Sequence, residues 1–440
     1  MGSKEPGPGA ASSSPWPPRP LGNCLTPRPV EGWVAPKRRS TVSEIPTALP
    51  RRLLEALQPH LGTDRVTGLV AAVAIGHDEW VGVLGDRSAT GPSPVGRDTI
   101  FRIASVTKSL TAAAALAVVE DGTVHLDDPI GRYLPELAEP RVLVHEDGPL
   151  EVTVPAERPI TIRDLLAFTM GTGIHLRRDV VSPVVRRFAD LELGQGAPTP
   201  QIVPPPDEWV RRLATLPLIR QPGATWMYST GSDVLGVLLA RATGTPFDRL
   251  LATRLLDPLG MGDTGFSVRP NAMGRFTDCY RSGDRLGTVT VYDPASGGGW
   301  SRPPAFPSGA GGLVSTVDDL LRFTRMLRRG GMAGSRRILP SAAVQAMTTH
   351  QVTPGQKEGA GLTPGFFASN GWGFGVAVRT RADPAGGPVG EYGWNGGLGT
   401  TWWTDPERDL TALLLTTRAW DSPTPPRVSA DFRHAVYAAS

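Results

Sequence analysis

The sequence predicts an α+β fold in which the N-terminal and C-terminal segments share one antiparallel sheet, flanked by helices, with a mainly helical domain inserted between them. Two observations predict it. Strand-like runs lie near both ends of the chain, whereas helical patterns and loops fill residues 125–265. The composition, 40% hydrophobic and 20% charged over 440 residues, is also that of a globular chain that buries a large core.

The first 48 residues differ from the rest in composition. They are rich in Pro, Gly and Ser and bury too little apolar surface to offset their ordering entropy, so we expect residues 1–48 to be a disordered tail. We expect residues 49–440 to form the folded domain. Within it, we expect 49–104 and 285–440 to make the α/β part and 105–284 to make the mainly helical part.

The N-terminal elements follow from periodicity. A helix is predicted over residues 50–61, and two apolar runs, 69–75 and 80–84, flank a Gly-His-Asp turn as in a β-hairpin. From Ser105 the period becomes helical, with one apolar face that includes Leu110 and Ala117, until Asp121-Gly122 ends the helix.

The remaining elements are read in the same way. Further helices are predicted over 162–169, 209–216, 232–243, 315–328 and 428–438, and strands over 375–379, 400–404 and 410–417. Ser315 resembles a helix cap. Residues 173–206 show no clear period, so we interpret them as a cap or substrate loop, which carries Arg177, Arg178, Arg186 and Arg187.

Charge and composition exclude several classes of function. The formal net charge is +3, and residues 1–50 alone carry six basic and three acidic side chains, so the rest of the chain is neutral and nucleic acid is not an expected partner. No apolar run is long enough to span a membrane, and the first thirty residues lack a signal core, so we expect a cytoplasmic protein.

Metal and cofactor chemistry is not indicated either. Two cysteines make neither a disulfide framework nor a cysteine-type metal site, and the seven histidines occur singly, without ligand spacing. Phosphate-loop and zinc-protease motifs are absent from the sequence. We therefore expect no metal and no cofactor, and the oligomeric state is left open.

The first sign of chemistry is a lysine in an apolar helix. Only four of the 45 basic residues are lysines, and one of them, Lys108, follows Ser105 in an S-x-x-K pattern. Positions i and i+3 share a helix face, so the amine can approach the serine hydroxyl, and a desolvated lysine can accept its proton. The structural alternative is a capping serine followed by a solvated lysine.

Two later segments favour the catalytic interpretation. The sequence G-A-T-W-M-Y-S-T-G-S-D covers residues 223–233, and P-S-G-A-G-G-L-V-S-T covers residues 307–316. In this order after S-x-x-K, they resemble the serine β-lactamase and penicillin-binding-protein-like family of class C type, over roughly residues 50–440. The resemblance implies that Ser105 is the acylated nucleophile, with Lys108 and Tyr228 as its proton-transfer partners. A nearby ammonium would favour a Tyr228 phenolate.

Two departures from the β-lactamase pattern resemble the esterase/transacylase branch of this family. Thr230 stands where a Y-x-N motif has asparagine, and Trp394-Asn395-Gly396-Gly397 stands where K-T-G or H-x-G is usual. By the same resemblance, the backbone N–H groups of Ser105 and Gly397 form the oxyanion hole. The residues expected to contact substrate are Trp394, Asn395, Gly396, Thr230 and Asp233.

The sequence therefore predicts a serine esterase acting on small-molecule esters with short or medium acyl groups, through a Ser105 acyl-enzyme that is released to water or to an alcohol or amine acceptor. Two alternatives stay open. One is a β-lactamase or D-alanyl-D-alanine carboxypeptidase, and the other is a non-catalytic binding module of the same fold.

Overall fold

The computed structural model describes residues 45–62, 66–174, 182–283, 288–382 and 387–438. Nearly all of the predicted tail, residues 1–48, lies outside the described residues. So do Arg177 and Arg178 of the predicted substrate loop. The first described helix begins at Leu49, where the folded domain was expected to start.

One seven-stranded antiparallel sheet joins the two ends of the chain, which confirms the predicted fold class. Its strands are β1 (Gly68–Ile75), β2 (Asp78–Gly85), β3 (Asn370–Trp372), β4 (Ala377–Arg379), β5 (Tyr392–Gly396), β6 (Thr400–Asp405) and β7 (Leu410–Thr416). They lie in the order β3-β4-β5-β6-β7-β1-β2. The pairing of β1 with β7, which sets Leu69 opposite Thr416, is where the ends meet.

Helices lie between and around these strands in the described part of the chain. They are α1 (Leu49–Leu57), α2 (Thr107–Glu120), α3 (Ile162–Ala167), α4 (Pro183–Asp190), α5 (Pro206–Ala214), α6 (Thr230–Thr243), α7 (Phe247–Leu251), α8 (Asp257–Leu259), α9 (Val317–Arg328), α10 (Ser341–Thr348), α11 (Pro354–Lys357), α12 (Phe366–Ser369) and α13 (Arg427–Tyr437). Four short ribbons complete the fold: Phe101–Arg102 with Val314–Ser315, Arg141–Leu143 with Thr153–Pro155, Cys279–Ser282 with Val289–Asp293, and Met332–Ala333 with Arg336–Arg337.

The sheet is covered by helices on both faces, as alternation along β1 shows. Every residue of β1 is buried. Val70 and Ala72 belong to the large core that also contains α2 and α9, whereas Leu69 and Ala71 belong to a smaller core with α1 and α13. Successive side chains of a strand point to opposite faces, so β1 is the centre of a three-layer arrangement.

Helix α2 differs from its prediction. All of its residues from Thr107 to Val119 are buried, so it is a central helix rather than one with a single apolar face. A helix that is apolar all round is expected only inside a large core. Lys108 is therefore held in the interior, and the interpretation of Lys108 as a solvated residue of the first turn is wrong.

Several other predictions need correction. The cap of α9 is Thr316, whose hydroxyl accepts from the backbone N–H of Asp319, and not Ser315. The aperiodic stretch 173–206 contains α4, which buries only Val184 and Phe188 and is too short to show a period. Strands β3 and β5 are short and carry glycines, and they were missed. The division at residues 104/105 and 284/285 stays a prediction.

Candidate active site

Ser105 lies in a tight turn that the tertiary structure imposes. The turn is a 3₁₀ segment, Ala104–Val106, placed between the short strand Phe101–Arg102 and α2. Ser105 therefore precedes the α-helix. The sequence had predicted that the helix begins at Ser105. Ala104 has φ +41°, in the left-handed region that is strained for a residue with a side chain. Ala104 and Val106 are buried, and only Ser105 of this turn is partly exposed.

Lys108 lies one turn later with its amine turned back toward Ser105. It is 2% exposed. Its Nζ donates to Ser105 Oγ at 3.1 Å and to the carbonyl oxygen of Ala310 at 2.6 Å. Burial lowers the pKa of Lys108 to about 7, and the negative charge of Asp233 opposes that change. A large fraction of this amine is neutral near pH 7, as a proton acceptor must be.

Tyr228 completes a hydroxyl pair with Ser105. The Ser105 side chain interacts with the Tyr228 hydroxyl and favours its ionised form, and Trp394 Nε1 donates to the same hydroxyl at 2.7 Å. Burial raises the pKa of Tyr228 well above its usual range. The amine of Lys108 lies 4.5 Å from the centre of the Tyr228 ring, over its face. The phenolate expected from a neighbouring ammonium is therefore not favoured, and Tyr228 is a neutral hydroxyl.

The backbone around Tyr228 is held by pairing and by strain. Tyr228 exchanges two backbone hydrogen bonds with Ile174, of 2.8 and 3.0 Å. The next residue, Ser229, has φ +85°, and α6 begins directly after it. Strained conformations of this kind persist only where the surrounding structure enforces them. They fix the direction in which Tyr228 enters the site.

Thr230 and Asp233, both expected to contact substrate, are buried at the start of α6. Thr230 is 3% exposed, and its Oγ1 accepts from Gln195 Nε2 at 3.3 Å. Asp233 Oδ1 accepts from Ser308 Oγ at 2.7 Å and from the backbone N–H of Ala310 at 3.0 Å. Burial raises the pKa of Asp233 to about 6. The described partners of both side chains are protein groups.

Ser308 and Ala310 were missed as site residues. Their motif was noticed as part of the resemblance, but nothing in the spacing showed what the segment does. In the structure, Ala310 binds Asp233 through its N–H and Lys108 through its carbonyl oxygen. One residue therefore connects the buried carboxylate to the buried amine.

Strand β5 brings the W-N-G-G motif against the Ser105 turn. A Cβ atom on Gly396 would lie 2.1 Å from the carbonyl oxygen of Ile103, so the approach requires glycine. Asn395 is partly exposed, and Gly397, just beyond the strand, is exposed. Trp394 is 7% exposed, so most of its indole packs inside while its N–H reaches Tyr228.

An aromatic cluster that the sequence did not predict surrounds Tyr228 and Trp394. Its buried members also include Phe168, Trp226 and Trp372, and Phe366 and Phe367 pack on it from a partly exposed position. The Phe366 and Trp394 rings meet edge to face, with centroids 6.1 Å apart. Aromatic residues far apart in sequence meet here, so no local pattern reports the cluster.

Ile174 and Gln195 of the predicted substrate loop contact the site, whereas Arg186 and Arg187, the described arginines of that loop, make no described contact with these residues. Arg186 and Arg187 lie on α4, where Arg187 pairs with Asp190 at 2.8 Å.

Among the residues that the structure describes, no group of His, Cys, Asp or Glu side chains is arranged to hold a metal ion. Over the same residues, none of the helices has the length and apolar character needed to cross a bilayer.

A comparison with known families decides the relationship. A family model described as Beta-lactamase matches residues 53–437. The chain belongs to the β-lactamase family. Esterase EstB of Burkholderia gladioli is 34% identical over 89% of this chain and 96% of its own length. An uncharacterized protein of Mycobacterium tuberculosis is 40% identical over 76% of this chain and 81% of its own length.

Solved structures agree with this assignment. The structure titled EstCE1, a hydrolase with promiscuous acyltransferase activity, has a TM-score of 0.71 and 26% identity, covering 89% of this chain and 98% of its own. The predicted resemblance is thus confirmed, together with its esterase/transacylase branch and the α+β fold. This member of the β-lactamase family is a serine hydrolase.

Proposed function

We propose that the chain is an esterase that works through an acyl-enzyme on Ser105, with release of the acyl group to water or to an acceptor alcohol or amine. The observation that carries the proposal is the 3.1 Å contact between Ser105 Oγ and Lys108 Nζ, an amine whose pKa burial lowers to about 7. The 34% identity to an esterase supports it.

The steps follow from the positions of the proton carriers. Ser105 Oγ attacks the ester carbonyl carbon while its proton passes to the neutral amine of Lys108. The tetrahedral oxyanion accepts from the backbone N–H groups of Ser105 and Gly397. When the ester bond breaks, the departing alkoxide takes up the proton that Lys108 received from Ser105, and the neutral Tyr228 hydroxyl donates a hydrogen bond to that alkoxide. Deacylation repeats these transfers with water or an acceptor.

The buried groups take supporting roles in this proposal. Asp233 holds the 308–310 segment and sets the charge around Lys108, and Trp394 orients the Tyr228 hydroxyl by its N–H bond. Gln195 fixes Thr230. The surfaces left for substrate are Asn395, the Gly396–Gly397 backbone and the partly exposed rings of Phe366 and Phe367.

Neutral acyl groups fit these surfaces better than anions. Recognition of a β-lactam carboxylate calls for a cation, whereas Lys108 is a largely neutral amine whose N–H groups bond Ser105 and the Ala310 carbonyl. Aromatic rings provide apolar area instead. We therefore propose short or medium acyl esters as substrates, with weak or no turnover of penicillins and cephalosporins.

The test compares kcat/KM for p-nitrophenyl butyrate and for nitrocefin. The proposal predicts a clear preference for the ester, and the preference should vanish with all activity in Ser105→Ala. Ser109→Ala is a matched control, because Ser109 lies in the first turn of α2, just after the Ser105 turn, and its hydroxyl donates to the Gly375 carbonyl, at 2.8 Å, rather than to the site. Nitrocefin turnover at or above that of the ester would instead establish a β-lactamase.

A further inference from the structure

A separate cavity lies beside α6, and neither Ser105 nor Tyr228 lines it. Its volume is about 490 Å³, within the range of about 300–1,000 Å³ that is usual for small-molecule sites. Small side chains on α6, from Gly236, Val237 and Ala240, leave the space open. The opposite wall is formed by Phe266 and by the proline-rich segment 303–307.

A thin wall separates this cavity from the Ser105 side. Gly311 faces the site: a Cβ atom there would lie 2.8 Å from Pro198 and 3.9 Å from the Ala104 carbonyl carbon. The next residue, Gly312, faces the other way, and its Cβ would lie 2.8 Å from the Phe266 ring. The wall is therefore one backbone segment thick. Pro307 lines the cavity, and the next residue, Ser308, donates a hydrogen bond to Asp233.

The rim of the cavity carries one cation with donors to spare. Asp263 is already paired with Arg275 through two hydrogen bonds of 2.8 and 2.6 Å. Arg269 makes one further bond to Asp263, at 3.1 Å, and its side chain is 61% exposed. A guanidinium has five N–H donors, so most of them remain for a ligand. Two acidic side chains also line the cavity: Asp263 is paired with Arg275 and Arg269, and Asp248 is exposed.

We propose that this cavity binds a medium-chain aliphatic carboxylate, with the alkyl chain between α6 and segment 303–307 and the carboxylate on Arg269. The size and apolar lining select the chain, and the planar guanidinium selects the head group. A ligand in the cavity packs against the backbone segment whose residues Ser308 and Ala310 contact Asp233 and Lys108. Because this segment positions the base and not the substrate, an occupied cavity changes kcat rather than KM. Only this kinetic part rests on the proposed esterase function.

The binding test is calorimetric titration of the full chain with decanoate and with 1-decanol. Arg269→Gln should raise the Kd for decanoate by about tenfold, because one charge-assisted contact is lost. The Kd for 1-decanol should stay within about twofold of the wild-type value. Arg249→Gln is the matched control, since Arg249 is exposed nearby and does not line the cavity. Ala240→Phe, which fills the cavity, should abolish binding of both compounds.

The outcomes separate the proposal from its alternatives. Equal decanoate affinity in Arg269→Gln and wild type, or decanoate binding that survives in a folded Ala240→Phe protein, would overturn the site. Competitive inhibition of p-nitrophenyl butyrate hydrolysis that persists in Ala240→Phe would mean that decanoate binds at Ser105. Saturating decanoate that leaves kcat unchanged in wild type would overturn the coupling. The calorimetric result stands whether or not the ester is hydrolysed.

Discussion

Replacing Asp233 by asparagine should shift the pH dependence of catalysis without removing the local hydrogen bonds. Asp233 Oδ1 accepts both of its short contacts, from Ser308 Oγ and from the Ala310 N–H, and an asparagine carbonyl oxygen can accept them equally. The charge, however, is lost. Asp233 holds the Lys108 pKa up against the effect of burial, so that pKa falls from about 7 when the carboxylate is neutralised.

The size of the shift follows from the interaction of buried charges. An opposite charge close by moves a pKa by about 1–3 units, so we expect Lys108 in Asp233→Asn to titrate about one unit lower or more. In wild type, kcat/KM should rise with pH through about 7, because only the neutral amine accepts a proton. In the variant this acid limb moves to lower pH. The plateau falls by roughly threefold to tenfold, because a less basic amine is a weaker general base.

The assay measures kcat/KM for p-nitrophenyl butyrate between pH 5 and 9. Each pH profile is fitted to a curve that rises to a plateau, and the fit gives the pH of the acid limb. Asp319→Asn serves as a control: Asp319 is a buried carboxylate on α9 whose described partners are Thr264, Asp263 and Arg322, so its replacement should leave the acid limb in place. An acid limb in Asp233→Asn that stays at the wild-type pH, or moves to higher pH, would refute the account of how Lys108 is tuned.

The other predictions concern the same group of residues. Lys108→Arg should reduce kcat for p-nitrophenyl butyrate by about 10²-fold or more, since arginine stays protonated; near-normal turnover would show that Lys108 is not the base. Trp394→Phe removes the N–H donor to the Tyr228 hydroxyl. In steady-state kinetics it should lower kcat by roughly tenfold and change KM less. If KM alone changes, the indole is a binding surface only. Gly396→Ala should lower both the melting temperature and kcat, because its Cβ would meet a carbonyl oxygen at 2.1 Å, whereas Gly397→Ala, with no neighbouring atom within 4 Å, should leave the melting temperature nearly unchanged. Equal behaviour of the two variants would contradict the close approach of β5.

The sequence predicts those parts of the molecule whose signals are local. The strand at 69–75 is a continuous apolar run and the strand at 410–417 is mostly apolar and β-branched, and they pair in the sheet as β1 and β7. The S-x-x-K spacing places Lys108 beside Ser105, as helix geometry requires. These features depend on neighbours a few residues apart, so they can be read from a single chain.

What the sequence did not show depends on tertiary contacts. The hydrogen bond from the Trp394 indole to the Tyr228 hydroxyl joins residues that are 166 positions apart in the sequence. The left-handed conformation of Ala104 has no signal in an alanine, since glycine is the residue that ordinarily marks it. The role of Ala310 lies in its backbone atoms, which no residue type reveals. The protonation of Tyr228 was expected wrongly, because burial outweighs an amine that faces the ring rather than the hydroxyl.

The most direct test of the central claim is the site of covalent labelling. The intact protein is treated with a fluorophosphonate, its mass is measured, and the modified peptide is mapped by fragmentation. The proposed acyl-enzyme mechanism predicts one added phosphonyl group on Ser105, parallel loss of p-nitrophenyl butyrate hydrolysis, and no labelling of Ser105→Ala. Labelling at another serine, or full ester hydrolysis by Ser105→Ala, would contradict it.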